Sequence, residues 1–449
     1  MRRAASHPRR VRVRIPDVTH IHPGGRSIAV IGSGVAGLTA AYVLSDRDNV
    51  TLFEADARFG GHAHTQYVDD GAGGTVAVDT AFLVHNDRTY PTLCRLFGEL
   101  GIAVQDTDMS MSVRDDASGL EYAGARGLGG LFPSWSNLTR PQYLRMLTEV
   151  RRFHRSATEL LDADDTGETV GAFLERHRFS RYFTEHFMKP LIAAVWSCPP
   201  GDALRYPARY LFVFLQHHGM LSVFGSPVWR TVTGGSATYV EAIVARIYEP
   251  LTNAPIVSVL RRDDGVLLTA ADGPARLFDA VVIATHPDQA LLMLVAPTAA
   301  ERAVLGAIPY SLNQAQLHTD TSILPKHPRA RASWNYLTGP DNDAVTVTYD
   351  ITRLMRLGGQ KRYLVTLGGN DRVDPSCVLA EMMYSHPVYT TESVAAQALL
   401  PTIDDDRVVF AGAYHGWGFH EDGAAAGLRA AQRLGARWPT GATEKALTC

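Results

Sequence analysis

Apolar and polar positions along this chain repeat with two different periods, and each change of period marks a new element. "SIAVIG", residues 27–32, is an unbroken apolar run rich in β-branched side chains, the pattern of a strand buried on both faces of a parallel sheet. "VAGLTAAYVL" follows at helical spacing with small residues along one side, and "NVTLFEA" returns to the strand pattern. Near the other end "RVVFAGAYHGWGFHEDGAAAGLRAAQRLG", residues 407–435, reads as strand, glycine-rich loop and a helix of small residues. Between these ends, "PIVSVLRRDDGVLLTAADGPARLFDAVVIAT" predicts two strands turned at "RDDG", then a buried strand from Ala280 to Thr285. Helical spacing dominates residues 90–230, in "PTLCRLFGELGI", "PQYLRMLTEVRRFHRSATELL" and "VGAFLERHRF". Residues 305–385 hold strand patterns such as "NQAQLHTD", "AVTVTYD" and "RYLVTLGG". There is no internal repeat and no low-complexity tract.

Composition narrows the classes. A chain of 449 residues with 46% apolar side chains buries more than one simple core, so two domains, or one with an inserted lobe, are expected. A net charge of -3 supplies no basic field for a polyanion, which argues against nucleic acid as a partner. The first fourteen residues hold six arginines without a following apolar stretch, so residues 1–25 are expected to be a disordered basic leader rather than a secretory signal. The four cysteines are far apart with no C-x-x-C spacing, which speaks against a disulfide framework and for the cytoplasm, with peripheral contact at the inner membrane face left open. No metal is expected, because the histidines form no ligand pattern at helical spacing.

Gly32, Gly34 and Gly37 fall where the first strand turns into the first helix, in the spacing G-x-G-x-x-G. The first glycine permits the turn, the second lets a pyrophosphate approach the backbone together with Ser33, Val35 and Ala36, and the third lets the helix pack on the strand. Glu54, at the end of the second strand and followed by Ala55, stands where a carboxylate accepts hydrogen bonds from ribose hydroxyls. A dinucleotide is therefore expected, NAD or FAD.

The continuation "EADARFGGHAHT" places Arg58, Gly60 and Gly61 at the spacing E-x-x-x-R-x-G-G, and here the sequence resembles the flavin amine-oxidase superfamily, which includes monoamine oxidases, phytoene desaturases and protoporphyrinogen oxidases. The resemblance implies FAD, with Arg58, Gly60, Gly61 and His62 along the pyrophosphate and ribityl chain. It puts the backbone of Val257 at the adenine, Ala284 beneath the dinucleotide, and Gly412 beside the ribityl phosphate. Phe419, Glu421, Asp422 and Gly423 then lie where the last helix points at the flavin ring, with Glu421 and Asp422 capping exposed N–H donors. The implied fold is α/β: a Rossmann-like domain of the glutathione-reductase type over 26–89, 231–297 and 404–449, with a discontinuous α+β substrate lobe over 90–230 and 298–403. The phrases "GGHAHT", "VDTAFLVHN", "LIAAVWS", "WRTVTGG", "IATHPDQAL", "LHTD", "ASWNY", "YSHPV" and "GFHEDG" resemble a bacterial group of FAD-binding oxidoreductases often encoded beside methyltransferases similar to cyclopropane-fatty-acid synthases. That implies a lipid acyl substrate and a lipid methyltransferase as partner.

One departure stands out. Amine oxidases of the superfamily generally carry a lysine on a substrate-lobe strand, and this chain has only four lysines, none in "LNQAQLHTD". Amine oxidation loses ground to hydride transfer between flavin N5 and a hydrophobic chain. His62, His64, His415 and His420 are the candidates for the accompanying proton, each weighed against an imidazole that only holds backbone or cofactor. His286 and His318 read as structural. The dense apolar stretch "RYPARYLFVFLQHHGMLSVFGSPVW", residues 205–229, is expected either as core or as the wall of a lipid tunnel, with Arg205 and Arg209 meeting acidic head groups.

Overall fold

Ser27–Ile31 is the middle strand of a five-stranded sheet ordered Glu249–Leu251, Asn49–Phe53, Ser27–Ile31, Ala280–Ile283 and Val408–Phe410, and every pairing in it is parallel. The computed structural model describes residues 22–164, 167–196, 201–221, 226–338, 345–369 and 371–438. The arginines of the expected leader lie outside the described residues, as do Val223 and Phe224 of the apolar stretch.

The sheet is covered on both faces, as its continuous apolar strands require. On one face the helices Val35–Leu44 and His420–Arg433 pack on each other, and this contact admits no side chain at two positions. A Cβ on Gly427 would fall 2.1 Å from the Ala36 carbonyl oxygen, and one on Gly423 would fall 2.6 Å from Cγ1 of Val35. On the other face lies an antiparallel ribbon, Ile256–Arg262, Gly265–Ala270 and Arg276–Phe278, whose Val259, Val266, Leu268 and Phe278 share a core with Val281 and Ile283.

The second lobe is built on seven strands ordered Val378–Pro387, Tyr310–His318, Leu364–Leu367, Val345–Asp350, Trp334–Thr338, Met111–Asp115 and Leu120–Gly124. The last two come from the segment whose spacing predicts mostly helix. Trp334–Thr338 pairs parallel with Met111–Asp115, so the early and late parts of the lobe form one sheet. The boundary expected at 230/231 runs through a strand, Trp229–Val232, which pairs with His85–Asn86 and Val104–Asp106. Behind the sheet the long helix Pro141–Asp162 packs on Ala208–His217, with the rings of Phe153 and Phe212 5.3 Å apart.

One buried anchor joins two separate segments of the cofactor-binding domain, 26–89 and 231–297. Asp79 accepts hydrogen bonds from the Ser236 N–H and hydroxyl and from Thr65 Oγ1, and burial still pushes its carboxyl up to about 6. The turn that presents Ser236 is Gly234-Gly235, with φ of +81° and +94°, which explains a glycine pair that lies away from the large cavity.

Candidate functional site

The parallel strands end at a cavity of about 860 Å³ that runs from Glu54 and Val257 at one end to Trp334, Tyr349 and Leu367 at the other. Its floor is the glycine turn. Gly32 takes φ +97° and donates its N–H to the Phe53 carbonyl at 2.8 Å, and a Cβ there would lie 2.7 Å from the Ala284 carbonyl oxygen. A Cβ on Gly37 would lie 1.9 Å from Gly32 O, so this glycine is fixed by helix-on-turn packing and does not reach the cavity. Gly34 is different, because a Cβ there would meet no protein atom within 4 Å. Gly34, Val35 and Ala36 line the cavity, and the helix they begin has no side-chain cap and no acid in its first turn. An uncapped helix N-terminus beside an open glycine seats a phosphate.

The second glycine pair buttresses that seat. Gly61, at φ +55°, packs so that a Cβ would touch Gly34 Cα at 3.0 Å, while the Gly60 N–H reaches Ser33 O at 3.1 Å without lining the cavity. Arg58 lines the cavity and donates to Gly61 O at 2.8 Å. Glu54 also lines it, beside Ala55, and accepts from the Ser33 N–H at 3.0 Å and the Asp56 N–H at 2.9 Å. At the same end the ribbon shifts register between Ile256 and Ser258, which takes Val257 out of the ladder and leaves its backbone at the cavity wall. Such a bulge re-aims main-chain groups, here toward a flat ring with edge donors and acceptors.

At the far side the wall is Gly412, Tyr414, Gly418, Phe419 and His420. Glu421, Asp422 and Gly423 are absent from that wall, although Asp422 caps its own helix as expected. Glu421 turns away from the cavity and accepts from the N–H groups of Thr92 and Leu93, at 2.9 and 3.0 Å, capping the helix Pro91–Leu100 and not its own. Asp422 folds back onto the Phe419 N–H at 2.9 Å and is pushed up to about 7 by burial. Gly423 is held by Val35 in the helix contact described above.

The four candidate histidines separate. His62 lines the cavity; burial first, then the charges of neighbouring His386, His286 and His420, hold it well below its ordinary value, and its Nε2 is buried without a partner. His420 also lines it, stacked on Phe82 at 3.8 Å, lowered to about 3 by burial, with Nε2 likewise unpartnered. His64 is not in the wall: its Nδ1 meets the Tyr384 hydroxyl at 2.9 Å and its Nε2 meets Gln66 Nε2 at 2.9 Å. His415 is excluded from the cavity, because its Nδ1 accepts from Arg429 at 2.6 Å on the far side of the turn Ala413–His415.

Sequence reasoning missed Tyr384 and His386, which both line the cavity from the strand Val378–Pro387. Their spacing of two puts both rings on one strand face, a signal present in "YSHPV". His386 Nδ1 faces Asn313 Nδ2 at 3.0 Å, and burial lowers it to about 4. His286, read as structural, lines the cavity and stacks on Tyr310 at 4.3 Å, whereas His318 is satisfied by Thr366 Oγ1 and the Asp320 N–H, at 2.7 and 3.1 Å. Of the stretch 205–229, Phe214, Met220 and Trp229 line the cavity while Leu211, Phe212 and Leu215 are core. Arg209 donates to the carbonyls of Leu160, Leu161 and Ala163 at the end of the long helix, which ties its guanidinium to that helix end. Among the described residues no cluster of three histidines, cysteines or acids is placed to hold a metal.

A parallel sheet whose strand ends carry a phosphate seat, an acid beyond the second strand, and a cavity continuing into a second lobe define a dinucleotide-dependent oxidoreductase. The chain belongs to the flavin containing amine oxidoreductase family, whose model matches residues 35–375. It is 29% identical over 190 residues to a mitochondrial protoporphyrinogen oxidase of Nicotiana tabacum, covering 40% of this chain and 34% of the relative. It is 27% identical over 294 residues to a coproporphyrinogen III oxidase of Mycobacterium leprae, covering 61% and 62% of the two chains. The chain thus spans about a third of the length of the plant oxidases it matches. Among solved structures it resembles a putrescine oxidase, with a TM-score of 0.66 at 13% identity over 92% of this chain and 99% of that one. It resembles equally a fatty acid isomerase from P. acnes that produces CLA, with a TM-score of 0.64 at 15% identity over 90% and 97%. The cofactor is FAD, and the open Gly34, the bare helix terminus and the bulged Val257 fit it from pyrophosphate to adenine.

Proposed function

We propose that this flavoprotein moves hydride between flavin N5 and a carbon of a neutral hydrophobic chain, a fatty acyl lipid, either desaturating it or reducing an alkene. The observation that carries the reading is the chemistry of the inner chamber. Met109, Val195, Trp196, Phe214, Met220 and Leu367 line it, and among the described residues no lysine is in the wall and the only acids there, Glu54 and Asp56, are at the adenine end. An ammonium substrate finds no counter-ion there, while each methylene of an acyl chain contributes about 0.8 kcal/mol on leaving water. The flavin, when bound, accepts or donates the hydride.

The protein's own share is position, dryness and the proton. The apolar wall excludes water, which strengthens the electrostatics inside. Tyr384 offers a proton at its hydroxyl, which is 2.7 Å from Thr80 Oγ1 and 2.9 Å from His64 Nδ1. His64 in turn meets Gln66 near the surface, so His64 serves the proton from behind the wall. His420, lowered by burial and neutral at pH 7, presents an uncharged imidazole that adds no fixed charge to the apolar chamber.

A second reading, amine oxidation, is favoured by the family and by the likeness to putrescine oxidase. A third, suggested by the resemblance to proteins encoded beside lipid methyltransferases, makes the protein a flavin-loaded partner that hands substrate to such an enzyme. The experiment is anaerobic bleaching of the bound flavin by phospholipids with unsaturated or methylene-bearing chains, by primary and secondary amines, and by NAD(P)H, with reoxidation of the reduced flavin by the same lipids. Reduction or reoxidation by a lipid supports hydride transfer to or from the chain. Fast reduction by an amine with no response to any lipid establishes the second reading, and no response to either class leaves only the third.

A further inference from the structure

The chain carries a net charge of -3, yet residues 122–158 hold six arginines and a single acid, Glu149. The same segment holds four exposed large apolar side chains close together in sequence: Trp135 is 86% exposed and Leu128 76%, with Leu138 and Leu144 also exposed. The segment is one unit. The hydroxyl of buried Tyr143 donates to the Leu131 carbonyl at 2.8 Å, and Asn137 Nδ2 donates to the same carbonyl at 3.2 Å and to Glu121 O at 2.9 Å. The short helix Gly127–Leu131, the turn Trp135–Thr139 and the start of Pro141–Asp162 are thereby fixed together, and the indole and leucines are left outside.

The long helix continues the feature. Tyr143, Met146, Phe153 and Ala157 are buried, while Leu144, Thr148, Arg151 and Arg155 are exposed at positions i, i+4, i+7 and i+11, a single stripe. Glu149 is buried and pairs with Arg145 and Arg152 at 3.4 and 3.5 Å, and Arg126 pairs with Asp108 at 3.1 Å. Arg140, Arg151 and Arg155 have no acidic partner among the described residues. Exposed Trp and Leu rimmed by unpaired arginines suit a surface that is apolar below and anionic above.

We infer that residues 126–155 dock on the surface of an anionic lipid bilayer, with Trp135, Leu128, Leu138 and Leu144 entering the head-group layer and Arg140, Arg151 and Arg155 resting on lipid phosphates. The inference deepens the proposed lipid chemistry and rests on it for its purpose. The docking helix lies against Ala208–His217, whose Phe214 lines the chamber, so docking sets one layer of helix between the bilayer and the substrate cavity. No helix among the described residues is long and apolar enough to cross a membrane, and a surface contact requires none.

The test is co-sedimentation of the FAD-loaded full chain with vesicles of phosphatidylcholine alone and of phosphatidylcholine mixed with phosphatidylglycerol. The wild type binds the mixed vesicles, releases with rising salt, and ignores the neutral ones at low protein concentration. Trp135→Ser with Leu138→Ser weakens binding about ten-fold, and Arg151→Glu with Arg155→Glu removes the preference for anionic lipid, both with wild-type FAD content because these side chains are exposed. Quenching of wild-type tryptophan emission by bromine-labelled lipid reads insertion without any variant. Absence of binding to mixed vesicles, equal binding by the variants, or absence of quenching overturns the inference. None of these readouts uses turnover, so failure here is distinct from failure of flavin reduction or reoxidation by dispersed lipid.

Discussion

Phe82 and His420 lie face to face, their ring centroids 3.8 Å apart and their planes inclined by 15°. Phe82 is tied by its N–H to the His62 carbonyl at 3.1 Å, and His420 opens the last helix, so this one stack joins the two cofactor-lining segments from opposite ends of the chain. Phe82→Leu keeps the apolar volume and loses the stack, worth about 0.5–1.5 kcal/mol. Weaker FAD binding with a lower melting temperature of the FAD-free protein is expected from titration and thermal melts. Unchanged values would show that the two segments are held together elsewhere.

Gly34 and Gly37 respond differently to the same methyl group. A Cβ on Gly34 meets no protein atom within 4 Å, whereas one on Gly37 lies 1.9 Å from Gly32 O. Gly34→Ala is expected to keep the melting temperature of the FAD-free protein and lose FAD affinity ten-fold or more, on the order of 1.4 kcal/mol or above. Gly37→Ala is expected to lower that melting temperature, by about 1–3 kcal/mol of overpacking. Equal effects of the two on folding would remove the phosphate from Gly34.

The buried histidines make the fold acid-labile. His64, His85, His218, His318 and His386 are lowered to about 4, and His420 to about 3, from an ordinary 6.5, in each case by burial. The unfolded chain therefore binds more protons than the folded one below about pH 6.5, and stability falls as pH falls from there toward 4. Asp79 and Asp422, raised to about 6 and 7, act in the opposite sense and, being two against six, blunt the loss without reversing it. Thermal melts of the FAD-free protein at constant salt should drop steeply across that window; a flat profile would mean that the imidazoles are not buried as described.

FAD binding is expected to take up protons. His62 follows Gly61 directly and His286 follows Ala284 by two residues, so the two flank the glycine turn, and His386 lies 5.3 Å from the His62 ring. All three are lowered and neutral in the FAD-free cavity at pH 7, and Arg58, Glu54, Asp56, Asp288, His420, Tyr310 and Tyr384 are the other titratable groups around them. A pyrophosphate dianion favours the charged imidazoles, so affinity falls as pH rises through their bound-state values. Calorimetric titration at one pH in two buffers of different ionisation enthalpy measures the uptake directly. No uptake together with a pH-independent affinity would place the pyrophosphate away from this cluster.

What the sequence revealed was local, and what it hid depended on rotation. Gly32, Gly34, Glu54 and Gly61 could be placed because each role follows from distance along one strand-turn-helix unit. His415 and His420 look alike in "AYHGWGFHEDG", and only the tight turn Ala413–His415 sends one to Arg429 and the other to the cavity. Glu421 reads as a cap for its own helix, but its carboxylate is taken by Thr92 and Leu93, more than three hundred residues earlier. The strands Met111–Asp115 and Leu120–Gly124 are five residues each inside a helix-rich stretch, too short for a period to emerge.

The last strand of the central sheet, Val408–Phe410, pairs with Val281–Ile283, and the residues just after it complete the cavity wall. A ribosome must therefore synthesise the chain past residue 408 before the cavity wall is complete, and a nascent fragment ending earlier lacks both the last strand and that part of the wall. Until FAD enters, the chain carries a cavity whose wall includes the buried, unpartnered Nε2 atoms of His62 and His420. The order of the strands thus makes completion of the cofactor site one of the last steps of folding along the chain.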